Sequence, residues 1–398
     1  MSAESTAGLR RSHVAAPAIL TQGFRPFFLG AGLWAILAIG LWLAMLDGAD
    51  PAASAFPPLS WHAHEMLYGY ATAVLAGFLL TAIPNWTGRL PLSGLPLFGL
   101  VFLWLAGRVV FQISDWLGAG PTALVDLAFP VALVLVVGRE ILAGRNWRNL
   151  PMVVALLVLL IGNLAMHLEA AGVMDLEGAG WRLGLAVFTL LIALVGGRIV
   201  PSFTRNWLAK RAGSALPAPF GIVDKAALAT TILAMALFVA IPGSPVFGWL
   251  AIVAALAQVA RVARWQGKAT GPEALLWVLH VGYLWIPVGL LLLGLAAILS
   301  AVPQSAGLHA LAVGAVGTMT LAVMTRATLG HSGRPLTAGR GTIVVYVAIL
   351  LAAVTRVGAA LLPDAYDLLL AVAGCAWIVA FLGFVVLYGP LFVTRRKA

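Results

Sequence analysis

Twelve apolar stretches of about 20 residues, separated by short polar loops, leave few folds open to this chain. They lie at about 27–46, 63–83, 93–112, 121–138, 151–173, 181–201, 221–241, 246–263, 274–299, 306–326, 342–362 and 366–388. Such a stretch crosses hydrocarbon as a helix, because only a helix satisfies its own backbone there. A water-soluble protein is excluded by composition: 62% of residues are hydrophobic and 10% charged, against about 25% charged in ordinary globular domains. The expected fold class is all-α, a polytopic integral membrane protein with twelve transmembrane helices in the lipid bilayer. It forms one transmembrane domain over 1–398, with tails at about 1–26 and 389–398.

Loop charge gives the orientation, since cytoplasmic loops collect Lys and Arg. The odd loops hold Asp47 and Asp50, Asp115, Asp175 and Glu177, then Asp364 and Asp367. The even loops hold Arg89; Arg139, Arg145 and Arg148; Arg205, Lys210 and Arg211; Arg261, Arg264 and Lys268; and Arg326, Arg334 and Arg340. Arg10 and Arg11 lie in one tail, and Arg395, Arg396 and Lys397 in the other, so both termini are expected in the cytoplasm. The net charge of +10 thereby reads as topology, and no nucleic-acid partner is expected. No cleaved signal peptide is expected at the start. The single cysteine, Cys375, excludes intramolecular disulfides, covalent CxxCH haem attachment and cysteine-held iron–sulfur clusters.

The ends of spans 2, 6 and 10 resemble one another: Ile83-Pro-Asn-Trp-Thr-Gly-Arg-Leu-Pro, Val200-Pro-Ser-Phe-Thr-Arg-Asn-Trp and Thr325-Arg-Ala-Thr-Leu-Gly-His-Ser-Gly-Arg-Pro. Their spacing of four spans hints at a weak repeat of three four-helix units. Pro84 and Pro201 read as broken helix ends. Gly196, Gly197, Gly314 and Gly317 allow close approach of a neighbouring backbone or a flat ligand.

An ionisable group inside a span costs roughly 3 kcal/mol, which makes each one a functional candidate. Histidine leads the set, although a histidine at a helix end also serves as an interfacial anchor. His13 lies in the tail. His62, His64, His167 and His309 map to the extracytoplasmic layer, together with Glu65 and Glu169; Asp126, Arg108, Arg182 and Arg356 fall in the same half. His280 and His331 map to the cytoplasmic half, His331 in a Gly-His-Ser-Gly turn after span 10. On a helix His62 and His64 point apart, while His62 shares a face with Glu65, His64 with Tyr68, and His167 follows Asn163 by one turn. A carboxylate beside an imidazole fixes its tautomer for metal binding or relays protons.

Trp61-His-Ala-His-Glu-Met-Leu-Tyr-Gly resembles the NnrS family of bacterial membrane proteins associated with the nitric oxide response. Gly23-Phe-Arg-Pro-Phe-Phe, Ile83-Pro-Asn-Trp-Thr-Gly, Gly197-Arg-Ile-Val-Pro-Ser-Phe-Thr, Leu279-His-Val-Gly-Tyr and Met324-Thr-Arg-Ala-Thr-Leu-Gly-His-Ser-Gly-Arg-Pro-Leu extend the resemblance over nearly the whole chain. It implies a twelve-helix inner-membrane protein with haem and copper that protects against nitrosative stress. The family's histidine-bearing motifs fall on His62, His64, His280, His309 and His331, and His167 joins them by depth.

From these residues we expect b-type haem and copper on His62, His64, His167 and His309, with Glu65 or Glu169 handling protons. His280 and His331 are expected on a second haem, with propionates paired to Arg108, Arg182 or Arg356 on one side and Arg198 or Arg326 on the other. The expected activity leans to an oxidoreductase that reduces nitric oxide to nitrous oxide with electrons from a quinol or an external donor. A transporter of a small solute or metal ion, or a haem- or copper-holding sensor, are the alternatives. The adjacent His-His pair of haem–copper oxidases is missing.

Overall fold

The computed structural model describes residues 16–49, 52–211 and 214–394; Arg10, Arg11, His13, Asp50, Arg395, Arg396 and Lys397 lie outside them. Among the described residues the regular structure is helical, with no strand. Twelve helices are long and apolar enough to cross a membrane: α1 (Phe24–Leu46), α2 (Pro58–Thr87), α3 (Leu95–Gln112), α4 (Ala119–Ala143), α5 (Trp147–Ala170), α6 (Ala179–Leu208), α7 (Ile222–Ala240), α8 (Pro245–Ala263), α9 (Ala274–Ala296), α10 (Gln304–His331), α11 (Arg340–Leu361) and α12 (Pro363–Val393). Each coincides with one expected span. Large apolar side chains such as Leu37, Leu124, Leu135, Val154, Val259 and Val386 face outward, as lipid demands and water forbids.

Helices α2, α6 and α10 run well past the expected ends, to 30, 30 and 28 residues. Pro84 and Pro201 lie inside α2 and α6 and do not break them. His331 is the last residue of α10, not part of a turn beyond it. The irregularity sits elsewhere: each of these three helices contains a π-helical stretch, at Glu65–Ala71, Ile192–Gly196 and Ala310–Gly317. A π stretch leaves carbonyls out of the regular ladder and often marks a functional position. Two of these stretches give a carbonyl to a neighbouring helix, Gly69 to the Trp104 indole N–H at 2.9 Å and Ala193 to Arg261 at 2.8 Å.

The chain divides into two compact units. The first runs to Gly184 and includes Thr328–Arg334 and the chain from Val385. Within it α1 packs on α2, α3 on α4, and α4 on both α2 and α5. Arg25 is 5% exposed, and its Nη1 donates to the carbonyls of Leu391, Phe392 and Thr394 at 2.9–3.0 Å. Those carbonyls have no partner within a helix that is ending, so Arg25 caps α12. Phe24 packs against the rings of His331 and Phe392, and the Gly-Phe-Arg-Pro-Phe-Phe motif thus ties helix α1 to the ends of α10 and α12.

The second unit comprises Leu185–Ala327 and Pro335–Phe384. Arg261, expected in a loop, is instead fully buried inside α8. Its Nε donates to Asp224 Oδ1 at 3.0 Å and its Nη1 to Ala193 O and Tyr283 Oη, both at 2.8 Å. The Tyr283 hydroxyl donates to Gln258, whose amide reaches Thr231. A buried cation without such partners would cost several kcal/mol. Gly197 makes the arrangement possible, since a Cβ there would lie 2.6 Å from Arg261 Cζ.

Candidate functional site

Helix α2 begins at Pro58, a residue suited to a first turn because its missing N–H would have no partner there. The first turns carry His62 and His64, and the π stretch starts at Glu65. His64 and Glu65 are fully buried. Around them α3 supplies Arg108 and Phe111, α4 supplies Asp126, and α5 supplies Asn163 and His167, four residues apart on one face. All of these side chains are buried and all belong to the first unit.

Asp126 organises the cluster. Its Oδ2 accepts from His64 Nε2 at 3.2 Å, His167 Nε2 at 3.1 Å and Asn163 Nδ2 at 2.9 Å, while Oδ1 takes Arg108 Nη2. Arg108 Nη1 donates to Glu65 Oε1 at 2.6 Å, and the same oxygen lies 3.1 Å from His64 Nδ1. His64 Nε2 also faces Asn163 Oδ1 at 2.8 Å. Phe111 stacks on the His64 ring at 3.9 Å between centroids, and Phe56 meets His167 edge-on at 5.3 Å, so apolar rings screen the charges from water. Two carboxylates are held in a site that water does not reach, a costly arrangement stabilised only by its cationic and hydrogen-bonding partners.

Ligand atoms from His64, Asp126 and His167 lie within 4.8 Å of one another. Two imidazoles and one carboxylate make a donor set for a transition metal, with Glu65 against His64 as the outer carboxylate that orients a ligating ring. Gly69 borders the cluster: a Cβ there would lie 2.9 Å from both Glu65 Oε2 and Trp34 Nε1. Glu65 Oε2, Trp34 Nε1 and Arg108 Nε are buried without a hydrogen-bond partner.

The remaining candidates are dispersed. His62 stacks on Trp42 at 4.5 Å. Glu169 accepts from the Gly178 backbone N–H at 2.8 Å, and Arg182 donates to the Glu177 carbonyl at 2.6 Å, so both shape the loop before α6. His331, in the first unit, packs against Phe24 at 5.5 Å. In the second unit, His280 is 5% exposed, with Nε2 2.8 Å from Thr204 Oγ1 and Nδ1 buried without a partner. His309 Nδ1 donates to the Ser305 carbonyl at 2.8 Å. Arg326 lies over Phe203, Arg356 Nη1 is buried and unpaired, and Arg198 is exposed.

Asn163 and Asp126 are central to the cluster although the sequence ranked neither as a site residue. Asp126 carried a signal, a charge within a span; Asn163 carried only its place one turn before His167. No curated protein matches the chain. A family model described as NnrS protein matches residues 18–396. With nearly every described residue inside that match, the chain belongs to the NnrS family.

Proposed function

We propose that this protein binds copper and haem in the bacterial inner membrane and handles nitric oxide, protecting the cell against nitrosative stress. The observation that carries the metal reading is the buried meeting of His64, Asp126 and His167. Nitrogen and oxygen donors of this kind suit copper, and the resemblance of the histidine motifs to those of the family points to the same metal. Phe111 covers one face of the His64 ring at 3.9 Å between centroids.

Bound there, copper supplies a one-electron couple and a coordination position for nitric oxide. The protein does the rest. Glu65 holds the His64 ring through Nδ1, Arg108 ties Glu65 to Asp126, and Phe56 and Phe111 keep water out. For b-type haem, His280 offers a buried nitrogen without a partner, and His309 has its tautomer set by Nδ1–H on the Ser305 carbonyl. Arg356 offers an unpaired N–H suited to a propionate; Arg182, Arg198 and Arg326 are further partners of that kind, and His62 and His331 stand as ligands on the resemblance alone. Reduction of nitric oxide, with electrons from a quinol or an external donor, is the activity this set would serve. The charge asymmetry of the loops supports cytoplasmic termini.

Metal analysis and optical spectra of the purified chain test this. Wild type is expected to retain copper and to change spectrum with nitric oxide, and His64→Ala and His167→Ala are expected to lose the copper. Copper retained in full by both variants would overturn the assignment.

A further inference from the structure

We infer that the His64–Asp126–His167 centre takes a divalent ion together with one small monoanion, whose negative charge answers that of Arg108. The inference rests on the metal reading above and adds the class of ligand that the metal carries.

Charge is closely confined in this shell. Glu65 and Asp126 bring two negative charges and Arg108 one positive, with exposures of 0%, 1% and 4%. With a divalent ion on two neutral imidazoles, the buried group carries one net positive charge. An uncompensated charge in such surroundings is expensive, and no other carboxylate joins this hydrogen-bonded cluster among the described residues. Three protein donors also leave a divalent ion a further coordination position, as sites that bind exogenous ligands do. An anion filling that position satisfies coordination and charge in one step.

Beside the cluster, Arg108 Nε and Trp34 Nε1 are buried N–H groups with no acceptor, and Glu65 Oε2 is a buried oxygen with no donor. Buried donors are nearly always satisfied, and each left alone costs about 1–3 kcal/mol. The rings of Phe56 and Phe111 pack against His64 and against each other, and the class assigned is a monoanion of few atoms: azide, nitrite or hydroxide.

The probes are copper(II) and azide, read by electron paramagnetic resonance and by the azide-to-copper absorption band in the purified full chain. Wild type loaded with copper is expected to bind azide with a shifted spectrum. Arg108→Gln, which makes the copper-loaded cluster neutral, is expected to weaken azide binding at least about tenfold, while Arg108→Lys retains it. Glu65→Gln adds a net positive charge and is expected to tighten it. Damage to packing would weaken binding in all three variants, so opposite shifts in Arg108→Gln and Glu65→Gln identify the charge effect. A copper-loaded wild type that ignores azide, or equal affinities across the variants, overturns the inference and leaves the metal reading standing. A wild type that takes up no copper removes both.

Discussion

Asp126 shows how much one side chain decides. Four donors from three helices converge on its carboxylate, so Asp126→Asn removes a charge on which Arg108, His64 and His167 all depend. Breaking a buried ion pair on one side typically costs about 3–5 kcal/mol. The expected outcome is a lowered thermal unfolding midpoint in detergent, by more than for an Asn163→Ala control, and a chain with wild-type stability would contradict these contacts. Much of this site was legible as residue types, because so few ionisable groups lie in the spans that each one stood out. The pairing was not legible. His64 meets Asp126 and Asn163 across 62 and 99 positions of sequence, distances over which no periodicity speaks.

At the scale of elements, the departures from regular helix matter most. Regular spacing placed Glu65 on the face of His62, yet the π stretch that starts at Glu65 accompanies a different pairing, with His64 and Arg108. Proline gave the visible warning in sequence, and it misled, since α2 and α6 continue through Pro84 and Pro201. A π stretch has no comparable signature: each of the three carries glycine, but so do most other spans, and the carbonyls of Gly69 and Ala193 are answered from other helices by Trp104 and Arg261. Gly197→Ala is the sharp test of that coupling in the second unit. A Cβ 2.6 Å from Arg261 Cζ forces the guanidinium away from Asp224 and Ala193, a cost of about 1–3 kcal/mol. The thermal midpoint should fall, and Gly243→Ala, where a Cβ meets nothing within 4 Å, serves as the control.

For the whole molecule, the alternation of loop charge makes a prediction that accessibility can check. In a Cys375→Ser background, single cysteines at Asp115 and Asp175 should react with a membrane-impermeant maleimide from the extracytoplasmic side. Cysteines at Arg145 and Arg334 should react only after permeabilisation, and the reverse pattern would invert the orientation. The sequence by itself determined the number of helices, their approximate places and the family, because solvation by lipid acts on each apolar stretch independently and leaves its mark locally. It also marked most of the ionisable groups worth attention. Only the tertiary structure decided that His64, Glu65, Arg108, Asp126, Asn163 and His167 share one buried cluster while His62, Glu169 and Arg182 turn to other partners. It likewise moved Arg261 from an expected loop into a buried ion pair. The physical reason is that in lipid, where apolar faces are indifferent to one another, helices associate through small residues and buried polar contacts. Those contacts join residues far apart in the chain, and their geometry exists only once the helices have packed.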